Sequence, residues 1–255
     1  MKVAVLSSGS CGNCFYIENK DSAILVDAGI NAKQIVKRLS LINRVPSNIK
    51  GIFITHEHSD HVRGTDVFSR AFKIPVFATK KTAESCLLCS DDNLINTIKN
   101  NEIIKLSGMN IEAFSKSHQA ADPISYSVWN GKKISIITDV GFPCKNVIEN
   151  VSKSDFLCLE SNHDLAMLKE GPYPHYLKKL ITSNQGHLSN MQASLCVLEH
   201  ATPRLSNIIL SHISQTNNTP LLALETFNSL IKERVDLSPN VFAPERGEMT
   251  GLFSV

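Results

Sequence analysis

The chain has 255 residues, of which 42% are hydrophobic and 20% charged, and this composition excludes an intrinsically disordered protein. Its 26 basic and 24 acidic residues give a formal net charge of +2, which argues against nucleic-acid binding through a broadly basic surface and does not exclude a local patch. Seven scattered cysteines and the lack of a membrane-length apolar run argue against a disulfide framework and a membrane protein, and favour the cytoplasm.

The N-terminal part of the chain predicts three short strands followed by a helix. The strands are rich in β-forming residues and are separated by turn residues; they are Lys2–Leu6, Cys14–Glu18 and Ala23–Asp27. Asn31 is a candidate N-cap for a helix that continues to about Asn43, because apolar residues recur behind it at helical spacing.

The rest of the chain alternates strands with helices. Predicted strands are Gly51–Thr55, Pro75–Ala78, Ile103–Leu106, Asn110–Phe114, Tyr126–Asn130, Lys133–Thr138, Asp155–Glu160 and Asn207–Leu210. Predicted helices are Val62–Phe72, Thr79–Cys89 and Pro220–Arg234, and residues 164–200 are mostly helical, with breaks at Pro172, Pro174 and near Gly186. No linker interrupts the chain, so the pattern predicts one domain over residues 1–255, in which helices enclose two sheets as a four-layer αββα sandwich.

Polar residues follow five of the apolar strands directly. They are Asp27, His56, Asp139, Glu160 and His212. Because strand ends on one rim of a sheet can converge, we expect these side chains to contribute to one site.

The densest polar segment is His56-Glu57-His58-Ser59-Asp60-His61, which holds three imidazoles and two carboxylates within six residues. Imidazole and carboxylate groups are ligands for Zn²⁺, Fe or Mn²⁺. His56 and His58 can point to one side of a loop, and Asp60 and His61 can turn toward a second ion. A solvated polar loop is the alternative interpretation, and the cost of desolvating so many polar groups argues against it.

Two metal ions need more ligands than this loop supplies. His118 is a candidate third ligand of the first ion, Asp139 a candidate bridge between the ions, and His212 a candidate ligand of the second. Each of these residues alone is more often an ordinary histidine or aspartate. Their position after strands favours the metal site.

The run HEHSDH matches the HxHxDH signature of the metallo-β-lactamase superfamily, and the chain resembles its YycJ/WalJ-like branch of DNA-processing exonucleases. The similar segments span residues 7 to 214; they are SSGSCGNCFYI, ILVDAG, IFITHEHSDHVRG, SHQAADPISY, IITDVG, LESNHD, GHLSN and LSHIS. HxHxDH indicates the superfamily, whereas SSGS, ESNHD and GHLSN indicate the branch.

The resemblance implies a role for each candidate residue. One ion would be held by His56, His58 and His118, and the other by Asp60, His61 and His212, with Asp139 as the bridge. Asp27 would brace the HxHxDH loop through hydrogen bonds. Glu57 would point away from the metals, and Asp60 would also orient the nucleophile.

Glu160 and His187 resemble the Glu–His pair of the related tRNase Z enzymes, in which the histidine donates a proton to the leaving group. An ordinary histidine at a helix N-terminus, beside a capping Ser189, is the alternative for His187. His163 is interpreted either as a phosphate contact or as a surface residue.

The resemblance therefore predicts phosphodiester hydrolysis, most specifically by a DNA exonuclease that uses a hydroxide shared by two divalent ions, Zn²⁺ or else Mn²⁺. The expected partner is a nucleic acid, with DNA favoured and RNA as the alternative, and no membrane partner is expected. Other hydrolases on the same scaffold remain alternatives: a tRNase Z-like enzyme, a cyclic phosphodiesterase, a lactonase or a thioesterase. A metal-binding module without turnover is a further alternative.

The cysteines suggest a second kind of metal site. Cys11 and Cys14, like Cys86 and Cys89, form CxxC pairs that together could bind zinc. We expect instead that they are mainly small buried apolar residues.

Overall fold

The computed structural model describes residues 1–245 and 247–255, which contain nine α-helices and fourteen β-strands. The helices are α1 (Ala32–Leu41), α2 (Ser59–Val62), α3 (Thr65–Phe72), α4 (Lys80–Ser85), α5 (Lys145–Lys153), α6 (Leu165–Glu170), α7 (His175–Ile181), α8 (Asn190–His200) and α9 (Pro220–Ile231). The strands are β1 (Lys2–Ser7), β2 (Cys14–Asn19), β3 (Ser22–Val26), β4 (Ile49–Phe53), β5 (Val76–Thr79), β6 (Ile95–Ile98), β7 (Ile103–Leu106), β8 (Met109–Ser115), β9 (Ile124–Asn130), β10 (Lys132–Ile137), β11 (Phe156–Glu160), β12 (Asn207–Ser211), β13 (Asn240–Phe242) and β14 (Phe253–Ser254).

These elements divide into two compact units. The first unit comprises Met1–Ser115, Ala120–Gly131 and Gly247–Val255, and the second comprises Lys116–Gln119 and Lys132–Arg246. The single domain expected over residues 1–255 stays a prediction. No helix in the described part of the chain is both long and apolar enough to cross a membrane.

The first unit contains a seven-stranded mixed sheet in the order β14-β1-β2-β3-β4-β5-β6. β1 to β3 are antiparallel neighbours, whereas β3 to β6 run parallel to one another. Because β3 and β4 are parallel, their carboxyl ends meet at one edge. That edge carries Asp27, which follows β3, and the HEHSDH loop, which follows β4. The strands β7, β8 and β9 form an antiparallel meander.

Helix α1 packs one apolar stripe on the core of the first unit. The Asn31 side chain accepts a hydrogen bond of 2.9 Å from the Gln34 amide, which confirms the predicted N-cap. Ile35 and Leu39, spaced by one helical turn, are fully buried in the core cluster that also contains Leu25 and Ile52.

The second unit is built on four parallel strands in the order β13-β12-β11-β10. Every residue of β11 is buried, as expected for a parallel strand covered on both faces. The carboxyl ends of β10, β11 and β12 lie at one edge, where Glu160 of β11 is in register with Ser211 of β12. Asp139, Glu160 and His212 therefore emerge together.

Two predicted helices are shorter than the sequence pattern indicates. The helix predicted over Val62–Phe72 is interrupted between α2 and α3 at Gly64, whose amide donates to the Ala28 carbonyl at 2.8 Å. A Cβ at Gly64 would lie 2.0 Å from the Ile30 carbonyl oxygen, so this close approach requires glycine. The helix predicted over Thr79–Cys89 ends early, because Cys86 after α4 is extended.

Four elements were not predicted from the sequence. Helix α5 has a short amphipathic stripe of Val147 and Val151, but polar residues surround it. The strands β6, β13 and β14 are only two to four residues long, and β14 pairs with β1 from the opposite end of the chain. Such short edge strands depend on a distant partner, so local pattern does not reveal them.

Candidate metal centre

The HEHSDH loop of the first unit gathers three imidazoles. His56 and His61 are fully buried, and their ring centroids lie 4.0 Å apart. His58 is half-buried, with Nδ1 3.0 Å from Nε2 of His56. We refer to His56, His58, Asp60 and His61 as the loop cluster.

Asp27 lies behind the loop cluster and is fully buried. Its Oδ1 accepts a hydrogen bond of 2.8 Å from the Thr55 amide, and its Oδ2 lies 2.7 Å from Nδ1 of His61. The Thr55 hydroxyl donates to the same carboxylate at 2.9 Å. Because a carboxylate only accepts, Nδ1 of His61 carries the proton, and its Nε2 keeps the lone pair that a metal requires.

Asn13 also contacts the loop cluster, and sequence reasoning missed it. Its Nδ2 lies 3.0 Å from Nε2 of His61 and donates to Oδ2 of Asp60 at 3.3 Å. The Asn13 amide donates to the Asp60 carbonyl at 2.7 Å, so the turn 7–13 is attached to the loop. The signal in the sequence is the segment SSGSCGN, which also indicates the branch.

Glu57, within the HEHSDH loop, contacts the backbone of the segment before β9. Its Oε1 accepts a hydrogen bond of 2.8 Å from the Ala121 amide. This bond attaches the loop to the segment before β9, as expected for a structural residue.

The second unit brings together His118, Asp139, Glu160, His187 and His212, which we call the strand-end cluster. One ligand atom from each of Asp139, Glu160, His187 and His212 lies within 4.8 Å of the others. Nε2 of His118 lies 3.8 Å from Oδ1 of Asp139, and Nδ1 of His212 lies 3.4 Å from the same oxygen.

Glu160 organises this cluster. Its Oε1 lies 2.8 Å from Nδ1 of His187 and 2.8 Å from Nδ1 of His212. Its Oε2 accepts hydrogen bonds from the Val140 amide at 2.8 Å and from the Leu188 amide at 3.0 Å. Burial raises the pKa of Glu160, but the two imidazoles outweigh burial and bring the pKa below its ordinary range. An ionised Glu160 thus accepts from Nδ1 of both histidines and leaves Nε2 available on each.

His118 is held in the same tautomer by a different acceptor. Its Nδ1 lies 3.1 Å from the Gly186 carbonyl oxygen, which can only accept, so Nε2 carries the lone pair. Burial is the main cause that lowers the pKa of His118 to about 4. The charge of Asp139 raises this pKa and that of Lys116 lowers it, each by less than burial does. The imidazole is therefore neutral near pH 7, which is the form that binds a metal.

Three residues at the candidate site adopt a left-handed backbone conformation: Asp139 and His212 of the strand-end cluster, and Asp27 behind the loop cluster. Asp27, Asp139 and His212 have φ values of 60°, 56° and 54°, and each directly follows or lies two residues beyond a strand. This conformation costs about 1–2 kcal/mol for a residue other than glycine, and such strain concentrates at functional sites. The strained backbone is thus a feature that the two sheet edges share.

Buried amides connect the loops that carry the strand-end cluster. Nδ2 of Asn218 donates to the carbonyls of Ser161 at 2.9 Å and Asn162 at 3.1 Å, and its Oδ1 accepts from Nδ2 of Asn190 at 2.9 Å. Nδ2 of Asn162 donates to the His212 carbonyl at 2.9 Å. Ser189 caps α8, three residues after Gly186, with a complete capping box.

His163 is fully buried, so its interpretation as a surface residue is wrong. Neither ring nitrogen has a hydrogen-bond partner among residues 1–245 and 247–255. Burial lowers the pKa of His163 to about 4, which keeps the imidazole neutral. Its role as a phosphate contact stays a prediction.

The four CxxC cysteines do not group as metal ligands. Cys14 and Cys89 are buried in the apolar core of the first unit, Cys86 packs against that core, and Cys11 is exposed. Among the described residues, no potential metal-binding group of three or more side chains includes a cysteine. The expectation of small buried apolar residues is confirmed for Cys14 and Cys89, whereas Cys86 is only partly buried.

Comparison with known proteins extends this description. Residues 11–108 match the family model of the metallo-β-lactamase superfamily. The chain is 32% identical to the exodeoxyribonuclease YycJ of Bacillus anthracis, over 91% of this chain and 89% of that protein. It is 34% identical to the exodeoxyribonuclease WalJ of Streptococcus pneumoniae D39, over 87% and 85% of the two chains.

The fold is shared with solved structures. The metallo-β-lactamase fold protein YhfI of Bacillus subtilis superposes with a TM-score of 0.73 at 14% identity, with 98% of each chain covered. This likeness confirms the predicted fold class, with two mixed sheets flanked by helices.

Proposed function

The chain belongs to the metallo-β-lactamase superfamily, in the family of the exodeoxyribonucleases YycJ and WalJ. On this premise, we propose that it is a metal-dependent exonuclease that hydrolyses the phosphodiester bonds of DNA. The observation that carries the proposal is the Glu160–His187 pair beside Asp139 and His212. This pair offers a proton donor next to groups that bind a divalent metal, and phosphodiester hydrolysis needs both.

The donor set of the two clusters fits divalent metal ions. The imidazoles His61, His118 and His212 each have Nδ1 engaged by an acceptor, so that Nε2 remains for a metal. We propose two ions, Zn²⁺ rather than Mn²⁺. The proposed ligands are His56, His58, Asp60 and His61 of the loop cluster and His118, Asp139 and His212 of the strand-end cluster.

The ions, when bound, would supply a hydroxide at neutral pH and offset the charge of the phosphoryl group. Asp60 would orient the attacking oxygen through its carboxylate. Nε2 of His187 would donate a proton to the departing sugar oxygen, since Nδ1 is held by Glu160 at 2.8 Å. The ionised Glu160 would stabilise the imidazolium form of His187 before transfer.

The experiment is digestion of end-labelled DNA and RNA by the purified full chain after loading with Zn²⁺ or Mn²⁺. We expect metal-dependent shortening of DNA from one end, and loss of this activity in His58→Ala and Asp139→Ala. Matched controls are His200→Ala and Asp236→Ala, which change the same residue types at positions paired only with neighbouring side chains.

The alternatives make different predictions in the same assay. Preferential cleavage of RNA would replace the DNA assignment with a tRNase Z-like activity. Turnover of a cyclic phosphodiester, lactone or thioester, with both nucleic acids intact, would reject the nuclease. Full activity of His58→Ala or Asp139→Ala in metal-depleted protein would reject the ligand assignment.

A further inference from the structure

The second unit contains a cleft of about 360 Å³ between α6 and α7. Its volume falls within the range of roughly 300–1,000 Å³ that small-ligand sites occupy. Leucines and basic residues make up most of its lining; they are Leu165, Leu168, Lys169, His175, Lys178 and Lys179. The first three belong to α6 and the others to α7. On each helix they lie three and four positions after the first, so each set shares one helical face.

The face of α7 that lines the cleft is basic. Neighbouring helices normally pack against each other through apolar stripes, whereas this face of α7 carries His175, Lys178 and Lys179. On α6, Leu168 is only 2% exposed, but Leu165 is 53% exposed although it is a large aliphatic residue. The two helices therefore leave aliphatic surface open to solvent beside a set of positive charges.

The positive charges of the cleft have no acidic partners. None of the residues described as lining it is acidic, and within residues 1–245 and 247–255 no ion pair engages Lys169, His175 or Lys179. Lys169 and Lys179 are exposed. Their ammonium groups are therefore available to carboxylates of another molecule.

The fold holds the two helices in place before any partner binds. Nζ of Lys178 donates a hydrogen bond of 2.7 Å to the Lys169 carbonyl and so connects α7 to α6. In the turn between the helices, the Tyr173 hydroxyl donates to Oγ1 of Thr216 at 3.2 Å. A preformed site of this kind loses little conformational entropy on binding.

The pairing of aliphatic surface with positive charge indicates the chemistry of the occupant. A large apolar side chain gains free energy by covering Leu165, and carboxylates gain it from the lysines. Phosphates would use only the lysines, and bases stack on aromatic rings, whereas no Phe, Tyr or Trp is among the described lining residues. An acidic peptide segment with one large apolar side chain uses both parts of the cleft.

Both helices are attached to the strand-end cluster through the backbone. Asp164, four residues after Glu160, caps α6 through a 2.9 Å bond from the Met167 amide. At the other side, the His187 amide donates to the carbonyl of Ile181, the last residue of α7, at 2.9 Å. None of the described lining residues belongs to the strand-end cluster, so an occupant of the cleft does not compete for its side chains.

We propose that this cleft is a docking site for a protein partner, which it binds through an acidic segment that carries one large apolar side chain. The apolar side chain lies against Leu165 and Leu168, and the carboxylates beside it contact Lys169 and Lys179. Docking there attaches the partner to the unit that holds the strand-end cluster. This inference concerns recruitment and does not depend on the proposed nuclease activity.

The test is binding of a fluorescein-labelled synthetic peptide in which one phenylalanine is flanked by aspartates. Its Kd for the purified full chain is measured by fluorescence anisotropy at low and at high salt. Replacing the phenylalanine of the peptide with serine should weaken binding at least about ten-fold, because an aromatic side chain is no longer buried. Replacing the aspartates with asparagines should remove the salt dependence.

Two variants of the chain test the two parts of the cleft separately. Lys169→Gln with Lys179→Gln should weaken peptide binding by about 2- to 30-fold at low salt, and this difference should disappear at high salt. Leu165→Ala should weaken binding about five-fold at either salt concentration, because it removes most of the exposed aliphatic surface of the cleft.

Matched controls separate the cleft from general effects of charge and exposed leucine. Lys145→Gln with Lys232→Gln removes two exposed lysines of the same unit that do not line the cleft, and Leu221→Ala removes a 65%-exposed leucine of α9. Each control should leave Kd unchanged. Thermal unfolding checks that every variant folds, and hydrolysis of bis(p-nitrophenyl) phosphate should be the same in the cleft variants and in the unaltered chain.

Four results would overturn the proposal. They are the absence of saturable peptide binding, an unchanged Kd in the cleft variants, equal losses in the cleft variants and the controls, and a parallel loss of phosphodiester hydrolysis. Oligonucleotide binding is measured with His58→Ala to prevent digestion. If the cleft variants weaken it as much as they weaken peptide binding, the cleft is a nucleic-acid site and the peptide assignment is wrong.

Discussion

Nδ1 of His61 lies 2.7 Å from Oδ2 of Asp27, a carboxylate 34 residues earlier in the chain, and both side chains are fully buried. The same carboxylate accepts hydrogen bonds from the amide and the hydroxyl of Thr55. Asp27 therefore orients His61 and holds the start of the HEHSDH loop, although it offers no atom to a metal in this arrangement.

Asp27→Asn should lower metal affinity about 10–100-fold, the usual effect of losing a carboxylate behind a ligating histidine. The amide retains the shape of the carboxylate but lacks its charge. The measurement is competition with a chromogenic chelator, with Asp66→Asn at the partly buried Asp66–Arg70 pair as the control. Metal affinity equal to that of the unaltered chain would exclude this role for Asp27.

His187→Ala should slow cleavage of a phosphodiester with a sugar leaving group about 10²–10⁴-fold, as expected on loss of a general acid. A nitrophenyl leaving group departs without protonation, so its hydrolysis should change little. The comparison of kcat for the two substrates tests the assignment. A uniform loss on both substrates would instead assign His187 to metal binding, which its place in the strand-end cluster also permits.

Asn218→Ala should lower the free energy of unfolding by about 3 kcal/mol, because it removes the buried hydrogen bonds from the Asn218 side chain to the carbonyls of Ser161 and Asn162. It should also lower kcat, since Asn162 in the same network supports the His212 backbone. Urea unfolding and steady-state kinetics measure the two effects. The control is the exposed Asn93→Ala, and equal stability of the two variants would contradict the prediction.

His163→Leu should make stability less dependent on pH. The pKa of His163 is about 4 in the folded chain and 6.5 ordinarily, so the unfolded chain binds the additional proton between these values. Stability is complete above pH 6.5 and falls as the pH decreases toward 4, by up to about 3 kcal/mol. The variant has no such group, and its unfolding midpoint should decrease less between pH 7 and pH 5.

The control for this comparison is His200→Leu at the partly exposed C-terminal end of α8. An identical decrease in His163→Leu and in the unaltered chain would show that His163 is not the group responsible. A large loss of stability in His163→Leu at pH 7 would show instead that the imidazole has a polar partner.

Glu18→Gln should destabilise the first unit by about 2 kcal/mol. Glu18 is buried. Its carboxylate accepts hydrogen bonds from Nη2 of Arg44 at 2.7 Å and from the Tyr16 hydroxyl at 2.8 Å. Burial raises the pKa of Glu18, but these hydrogen bonds outweigh it, and the net pKa is lower than usual. The stabilisation is therefore complete above the ordinary pKa and is lost as the pH falls below it.

Thermal unfolding of Glu18→Gln at pH 7 and at pH 3 tests this sign. The difference between the variant and the unaltered chain should be larger at pH 7. The control is Glu149→Gln at the exposed Glu149–Lys153 pair, which should change stability little at either pH. A constant difference across this range would contradict the assignment.

Local sequence determined which polar side chains could bind a metal and the strand ends from which they emerge. The HEHSDH run and the polar residues after five apolar strands predicted a metal site, and the strands behind Asp27, His56, Asp139, Glu160 and His212 are present within a few residues of their predicted bounds. The alternation of apolar and polar residues and the types of residue are local properties, so they can be read directly from the amino-acid sequence. The capping of α1 by Asn31 was predictable for the same reason.

The tertiary structure alone decided how these side chains are oriented. Glu160 serves both His187 and His212, Asn13 contacts His61 and Asp60, and Gly64 divides a predicted helix where it meets the Ile30 carbonyl. Each relationship joins segments that are distant in the chain, and it depends on which strands pair and in what register. No local periodicity contains that information, because the same residues in another register would face other partners.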